Sequence, residues 1–190
     1  NGLGNGSDQV GRNLMDHHKG LTITASVEGF EDMYYYGRRP TNVYIPRFRN
    51  VKETTPGFLR GYHFGAGATR PRQQSDIPVG VALKEAISEP GPWRMSLYAF
   101  GECLPYADNR ITLDSNKKDP FGRPMITIDC EFKENERAMH EDIIVTGKEM
   151  LEAAGLKNVN ASDSGYAPGM GIHEMGTARM GRDSKTSVLN

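Results

Sequence analysis

From Leu21 onward the chain alternates, with Leu21, Ile23, Ala25 and Val27 on one side and Thr22, Thr24, Ser26 and Glu28 on the other. A period of two with one apolar side predicts a half-buried strand. Residues 58–64 repeat the pattern, with Phe58, Tyr62 and Phe64 on one side. So do residues 93–100, where Trp93, Met95, Leu97 and Ala99 alternate with Arg94, Ser96, Tyr98 and Phe100. A short extended piece at 43–45 stops at Pro46. Residues 1–19 and the glycine-, arginine- and proline-rich stretch 65–78 read as loops, and 79–88 as a short helix. Residues 108–128 are turn-rich β structure around a compact turn at 119–124. Residues 126–132 follow as a strand, with Ile126, Ile128, Cys130 and Phe132 on its apolar side. Only one helix is strongly periodic: Asn135 is placed to cap it, and Met139, Ile143, Met150 and Ala154 share a face. Gly155 ends it, with Leu156 available for the accompanying apolar contact. Residues 160–190 show no periodicity. Strands with one polar side and few helices predict an α+β fold, mostly antiparallel β-sheet with helices packed on one face.

Composition narrows the function classes. A chain of 190 residues is long enough for a real core, and its 22 glycines and 11 prolines fit a loop-rich domain. The formal net charge of −1 gives no general attraction to nucleic acid or to an anionic membrane. A local basic group, Arg38, Arg39, Arg47 and Arg49 beside Tyr34, Tyr35 and Tyr36, is offset by Glu28, Glu31 and Asp32 just upstream. No nucleic-acid partner is expected. The two cysteines, Cys103 and Cys130, have neither CxxC spacing nor a disulfide framework, and Cys130 reads as a small buried apolar residue. No apolar run approaches the roughly 20 residues of a transmembrane helix. The chain opens at Asn1 without methionine and stops at Asn190, so the natural reading frame is expected to continue on both sides.

Several motifs are excluded by context. Gly2-Leu3-Gly4-Asn5-Gly6 neither follows a strand nor opens a helix, as a dinucleotide loop must. His173-Glu174 begins like a zinc-protease motif, but position 177 is threonine where the second histidine would stand. His17-His18, His63 and His140 lack ligand spacing, so no metal site is expected. No Gly-x-Ser-x-Gly elbow is present for a serine hydrolase.

Two end segments are specific. Gly2-Leu3-Gly4 followed by Val10-Gly11-Arg12-Asn13-Leu14-Met15-Asp16-His17 resembles the passage that leaves the flavin domain in glucose–methanol–choline (GMC) oxidoreductases. The stretch Gly171-Ile172-His173-Glu174-Met175-Gly176-Thr177-Ala178-Arg179-Met180-Gly181 resembles that family's His-x-x-Gly-Thr-x-x-Met segment, which carries an active-site histidine. Residues 104–113 and 119–124 are similar to sheet segments of the family's substrate domain, in the right order. The resemblance implies a linker from the flavin domain at 1–19, a substrate-binding domain at 20–160 and an active-site histidine segment at 161–190. It implies FAD as cofactor in the intact protein, held chiefly by a flavin domain outside this chain. It also implies a second catalytic position beyond Asn190, and a fragment inactive by itself.

On this resemblance His173 is the expected catalytic base, suited to the task by an unperturbed pKa of about 6.5. Asn13 and His17 are expected at the cofactor, although Asn13 and Asp16 equally fit a turn-fixing role. Glu174, Tyr35 and Trp93 are candidates for substrate contact, with ordinary packing or solvation as the competing reading for each. The variant His-Glu-Met-Gly-Thr-Ala-Arg-Met-Gly looks most like bacterial members acting on sugars or sugar acids, so a sugar or polyol is the expected substrate. The alternative is a stand-alone binding or interaction module that keeps the scaffold without redox chemistry. A nicotinamide-dependent dehydrogenase ranks below both, for want of a cofactor loop.

Overall fold

The structure is a computed structural model that describes residues 3–33, 42–55, 57–72 and 78–189. Its centre is an antiparallel sheet made of β1 (His17–His18), β2 (Leu21–Val27), β3 (Val43–Ile45), β4 (Tyr62–Thr69), β5 (Trp93–Glu102) and β8 (Lys157–Asp163). The strands lie in the order β3-β4-β5-β2-β8, and β1 pairs with the end of β5 beyond β2. Two further strands, β6 (Arg110–Lys118) and β7 (Pro124–Asp129), form a separate hairpin. The helices are α1 (Val81–Ser88) and α2 (Glu134–Ala153).

The predicted alternation decides the packing. Leu21, Ile23 and Ala25 of β2, Tyr62, Phe64 and Ala66 of β4, and Leu97 and Ala99 of β5 point to one face, where Met139, Ile143 and Leu151 of α2 cover them. Gly147 lets the helix approach closely, because a Cβ there would lie 2.8 Å from Ile23 Cδ1. At the rim, Tyr62 Oη donates to Asp142 at 2.5 Å, and the same carboxylate pairs with Arg49 at 2.9 Å. Burial and the adjacent Asp142 push the Tyr62 hydroxyl up to about 12.

Five expectations need correction. The strand placed at 58–64 runs instead over Tyr62–Thr69, and Gly65–Thr69, expected as loop, belongs to it. Those small residues are required by what crosses them: the Tyr98 ring lies over Gly65, where a Cβ would meet it at 2.2 Å. Asn135 does not cap α2. Lys133 is the N-cap residue, and Glu136 reaches back to its N–H at 3.1 Å, while Asn135 is bonded to the backbone of Leu59. The aperiodic C-terminal stretch begins with β8, an edge strand whose outer face is polar. Finally, the apolar side of 126–132 is open: Ile126 is 64% and Ile128 55% exposed, with Cys130 only half-buried. Helix α1 buries none of its residues, so α2 alone makes the helical layer against the sheet.

Candidate active site

Three distant segments are sewn together at one end of the sheet. The Leu14 N–H donates to the Asn109 carbonyl and the Ile111 N–H to the Gly11 carbonyl, at 2.8 and 2.7 Å. The Gly11 N–H donates to Thr177 O at 2.8 Å. Met15 and Met175 exchange both backbone hydrogen bonds, at 2.8 and 2.9 Å, as an isolated antiparallel bridge. Glycine is needed here. A Cβ on Gly176, which sits at φ +99°, would lie 1.8 Å from the Asn13 carbonyl oxygen, and one on Gly171 would meet the Asp16 carboxylate at about 2 Å.

This stitching carries His173 to His17. Their rings meet edge to face, with His17 Nε2 2.6 Å from His173 Nδ1. The residue before His173 is strained, since Ile172 holds φ +69°, a left-handed conformation that a β-branched side chain resists. Its N–H is tied to Glu174 Oε1 at 3.0 Å, and bonds of this kind to backbone N–H groups, its own and that of Ile172, hold the Glu174 carboxyl below the usual range. Beyond the pair an aromatic row continues across the face of the sheet opposite α2. The His17 ring sits edge-on to Phe100 (5.7 Å), His63 stacks on Phe100 (5.2 Å), and Tyr44 lies against His63 (4.7 Å). Burial, reinforced by the nearby His17, lowers the His63 pKa.

Next to that row a concavity of about 430 Å³ opens on the same face. Phe100 and Tyr98 form its aromatic floor, with Thr22, Ser162, Ser164 and Tyr166 around it. Lys19 lies over the Tyr166 ring at 4.3 Å and donates to the Gly171 carbonyl, which links this wall to the His173 loop. A larger depression, about 690 Å³, lies between the N-terminal loop and the β6–β7 hairpin. Its lining includes Leu3, Val10, Ile111, Leu113 and Ile126, with Thr177 and Ala178 from the segment that follows His173, and neither histidine. Neither histidine lines the smaller concavity, but it adjoins the pair through Phe100, whose ring meets that of His17 at 5.7 Å.

The expected site residues divide accordingly. His173, Glu174 and His17 come together. Asn13 is buried at φ +61°, its side chain on Gln9 and its carbonyl under Gly176, as a turn-fixing residue would be. Trp93 stands at the opposite end of β5, its Nε1 donating to Phe30 O at 2.7 Å and Arg70 near its ring. It does not join His173. Tyr35 lies outside the described residues. Sequence reasoning missed His63, Tyr98, Phe100 and Tyr166. A signal existed for two of them, because Tyr98 and Phe100 occupy the polar side of a strand whose other side is the core. Among the described residues no group of three or more His, Cys, Asp or Glu side chains is arranged to hold a metal. No helix among them is long and apolar enough to cross a membrane.

Comparison with known proteins supplies the context. Residues 105–190 match a family model described as GMC oxidoreductase. Over its whole length the chain is 32% identical to 2-methyl-1,2-propanediol dehydrogenase of Mycolicibacterium austroafricanum, covering 35% of that protein. It is 28% identical, again over its whole length, to the fructose dehydrogenase large subunit of Gluconobacter japonicus, covering 34% of it. Over 70% of the chain it is 26% identical to the gluconate 2-dehydrogenase flavoprotein of Pantoea cypripedii, covering 24% of it. The chain thus spans about a third or less of the length of these relatives.

Proposed function

Because the chain belongs, through its C-terminal segment, to the GMC oxidoreductase family, we propose that it forms the substrate side of an FAD-dependent dehydrogenase that oxidises a sugar or another alcohol. The observation that supports this most is an exposed His173 in contact with His17, whose ring in turn meets Phe100 in a wall of aromatic rings and hydroxyl side chains. Aromatic faces suit the C–H faces of a sugar ring, and Thr22, Ser162 and Ser164 suit its hydroxyls. In this reading residues 1–19 lead from the flavin-binding part, 20–160 bind substrate, and 161–190 present the base. The fragment alone is inactive.

The residues fit one side of a flavin and not its nucleotide cradle. They offer a base and a substrate wall, while no helix opens directly after the glycine-rich residues 3–6, as a pyrophosphate loop needs. When bound, the flavin supplies the hydride acceptor. The chain's own part is to orient the alcohol against the Tyr98–Phe100 wall and to take its hydroxyl proton on the free ring nitrogen, Nε2, of His173. A positioned base contributes roughly 10²–10⁴ in rate. The test is to express the complete natural reading frame and follow its visible spectrum anaerobically. Flavin bands that bleach on adding an aldose or polyol, with bleaching slowed about 100-fold or more by His173→Ala, are the expected result. A folded, colourless protein that takes up no flavin, or unchanged bleaching in the variant, overturns the assignment.

A further inference from the structure

The imidazole of His173 shares a proton-bearing contact with a second imidazole, and that contact constrains the chemistry of both. A neutral imidazole carries one N–H, so two facing ring nitrogens hold a single proton between them, and its position sets the tautomer of each ring. For His173 to accept a proton on Nε2, its own N–H must sit on Nδ1, the nitrogen 2.6 Å from His17 Nε2. His17 must then be the acceptor and carry its hydrogen on Nδ1. The opposite arrangement leaves His173 as an Nε2–H donor with no lone pair to offer.

The pairing is built into the backbone. The Met15–Met175 bridge is antiparallel, and in such a pair the residues two positions on and two positions back lie opposite one another on the same side. Those residues are His17 and His173. His17 is held independently of His173: its backbone N–H donates to Asp16 Oδ1 at 2.6 Å, β1 pairs it with Glu102 of β5, and its ring meets that of Phe100 edge to face.

We propose that His17 is a positioning residue for the base: by accepting the Nδ1–H of His173 it fixes the reactive tautomer, and it stabilises the imidazolium that forms when Nε2 takes the substrate proton. This rests on the reading of His173 as the base. The charged groups around His17 are engaged elsewhere. Glu102, opposite it on β5, is paired with Arg47 at 2.6 Å; Asp16 is engaged with the His17 backbone; His63 of β4 lies beyond Phe100. From the loop side, Glu174 is bound to the Ile172 N–H and Lys19 to the Gly171 carbonyl. Among the described residues no carboxylate is hydrogen-bonded to the His17 ring, so the acceptor role falls to its own lone pair. The proton balance is simple. One proton passes from the substrate hydroxyl to His173 Nε2 as the carbon gives up its hydride, and the Nδ1 proton stays in the hydrogen bond to His17.

The test uses the full-length flavoprotein and two variants, His17→Phe, which keeps a ring against Phe100 but offers no acceptor, and His17→Gln, whose amide oxygen can accept. Flavin reduction is timed anaerobically across roughly pH 5 to 8, and the His173 tautomer is read by ¹⁵N NMR in the flavin-free and flavin-loaded proteins. Expected for His17→Phe is a rate lower by about 10–100-fold with little change in substrate affinity. Its acid limb moves to lower pH, because the imidazolium has lost its acceptor, and its His173 tautomers are mixed in both proteins. His17→Gln recovers most of the rate and the Nδ1–H tautomer. A wild-type rate and tautomer in His17→Phe, or equal losses in both variants, overturns the proposal. Should His173→Ala itself reduce flavin normally, the reading beneath it fails instead, and the proposal with it; the NMR tautomer is read whatever the activity.

Discussion

At the scale of single residues, position in three dimensions overrides position in sequence. His17 and His18 are adjacent, yet they lie on opposite faces of the sheet and have opposite fates. His17 faces the candidate site. His18 is buried against the Phe132 ring and Gly101, with His140 at 5.5 Å and no hydrogen-bond partner for its Nδ1. Burial first, then the proximity of His140, lowers its pKa from 6.5 to about 4; Glu136 of α2 and Asp163 of β8 only partly oppose this. The unfolded chain therefore binds a proton that the folded one refuses. The stability this group contributes is intact above pH 6.5, is lost as pH falls through that value, and is gone by about pH 4. Between pH 7 and pH 5 the loss is about 2 kcal/mol. Hydrogen-exchange protection of the β1 and β5 amides in the intact protein is expected to fall across that interval, and to fall much less in His18→Leu. Equal falls in both proteins would remove His18 as the cause. The sequence shows two neighbouring histidines and a strand parity that points them apart. It does not show which one meets His173, because that depends on a bridge between residues 160 positions apart in the chain.

At the scale of elements, the legible parts are those whose signal is local. Alternation located β2 and β5, and the 3.6-residue period located α2, because each pattern is set by one buried face. What failed depends on a partner elsewhere. The Gly65–Thr69 half of β4 looks like loop until Tyr98 is laid across it. The start of α2 looks like an Asn cap until Glu136 is seen to serve two clients. One oxygen accepts the Lys133 N–H at the helix start, and the other accepts the Leu104 N–H at 3.0 Å from the chain leaving β5. A buried carboxylate with two backbone donors ties a helix end to the sheet. Removing it strands both donors, so Glu136→Ala should cost about 2–4 kcal/mol, measured by hydrogen exchange of the α2 amides. Protection within 0.5 kcal/mol of wild type, about the noise of a neutral surface change, would show that water replaces the carboxylate at no cost.

At the scale of the whole molecule, the sheet divides its work between two faces, and the division runs through every central strand. Ile23, Phe64 and Leu97 point to α2, while Thr22, His63, Tyr98 and Phe100 point away, toward the concavity and the imidazole pair. The α2-facing wall is mostly apolar, with Tyr62 and His18 as its polar members, and it carries the core packing while the other face carries rings and hydroxyls. The family resemblance singled out His173 as the proposed base, but the proposed substrate wall is assembled from β2, β5 and the turn after β8, which share no motif. Stability and substrate recognition should therefore separate between neighbouring residues. Ile23→Ala, which empties a fully buried site against Gly147, is expected to cost about 2–5 kcal/mol. Thr22→Ala, one residue away on the open face, is expected to leave stability within about 0.5 kcal/mol while raising KM for a sugar or polyol about 3–10-fold, the value of one hydrogen bond. Melting and steady-state kinetics on the two intact variants decide it. Should Thr22→Ala lower stability as much as Ile23→Ala and leave KM alone, the open face is a second packing surface and the substrate lies elsewhere.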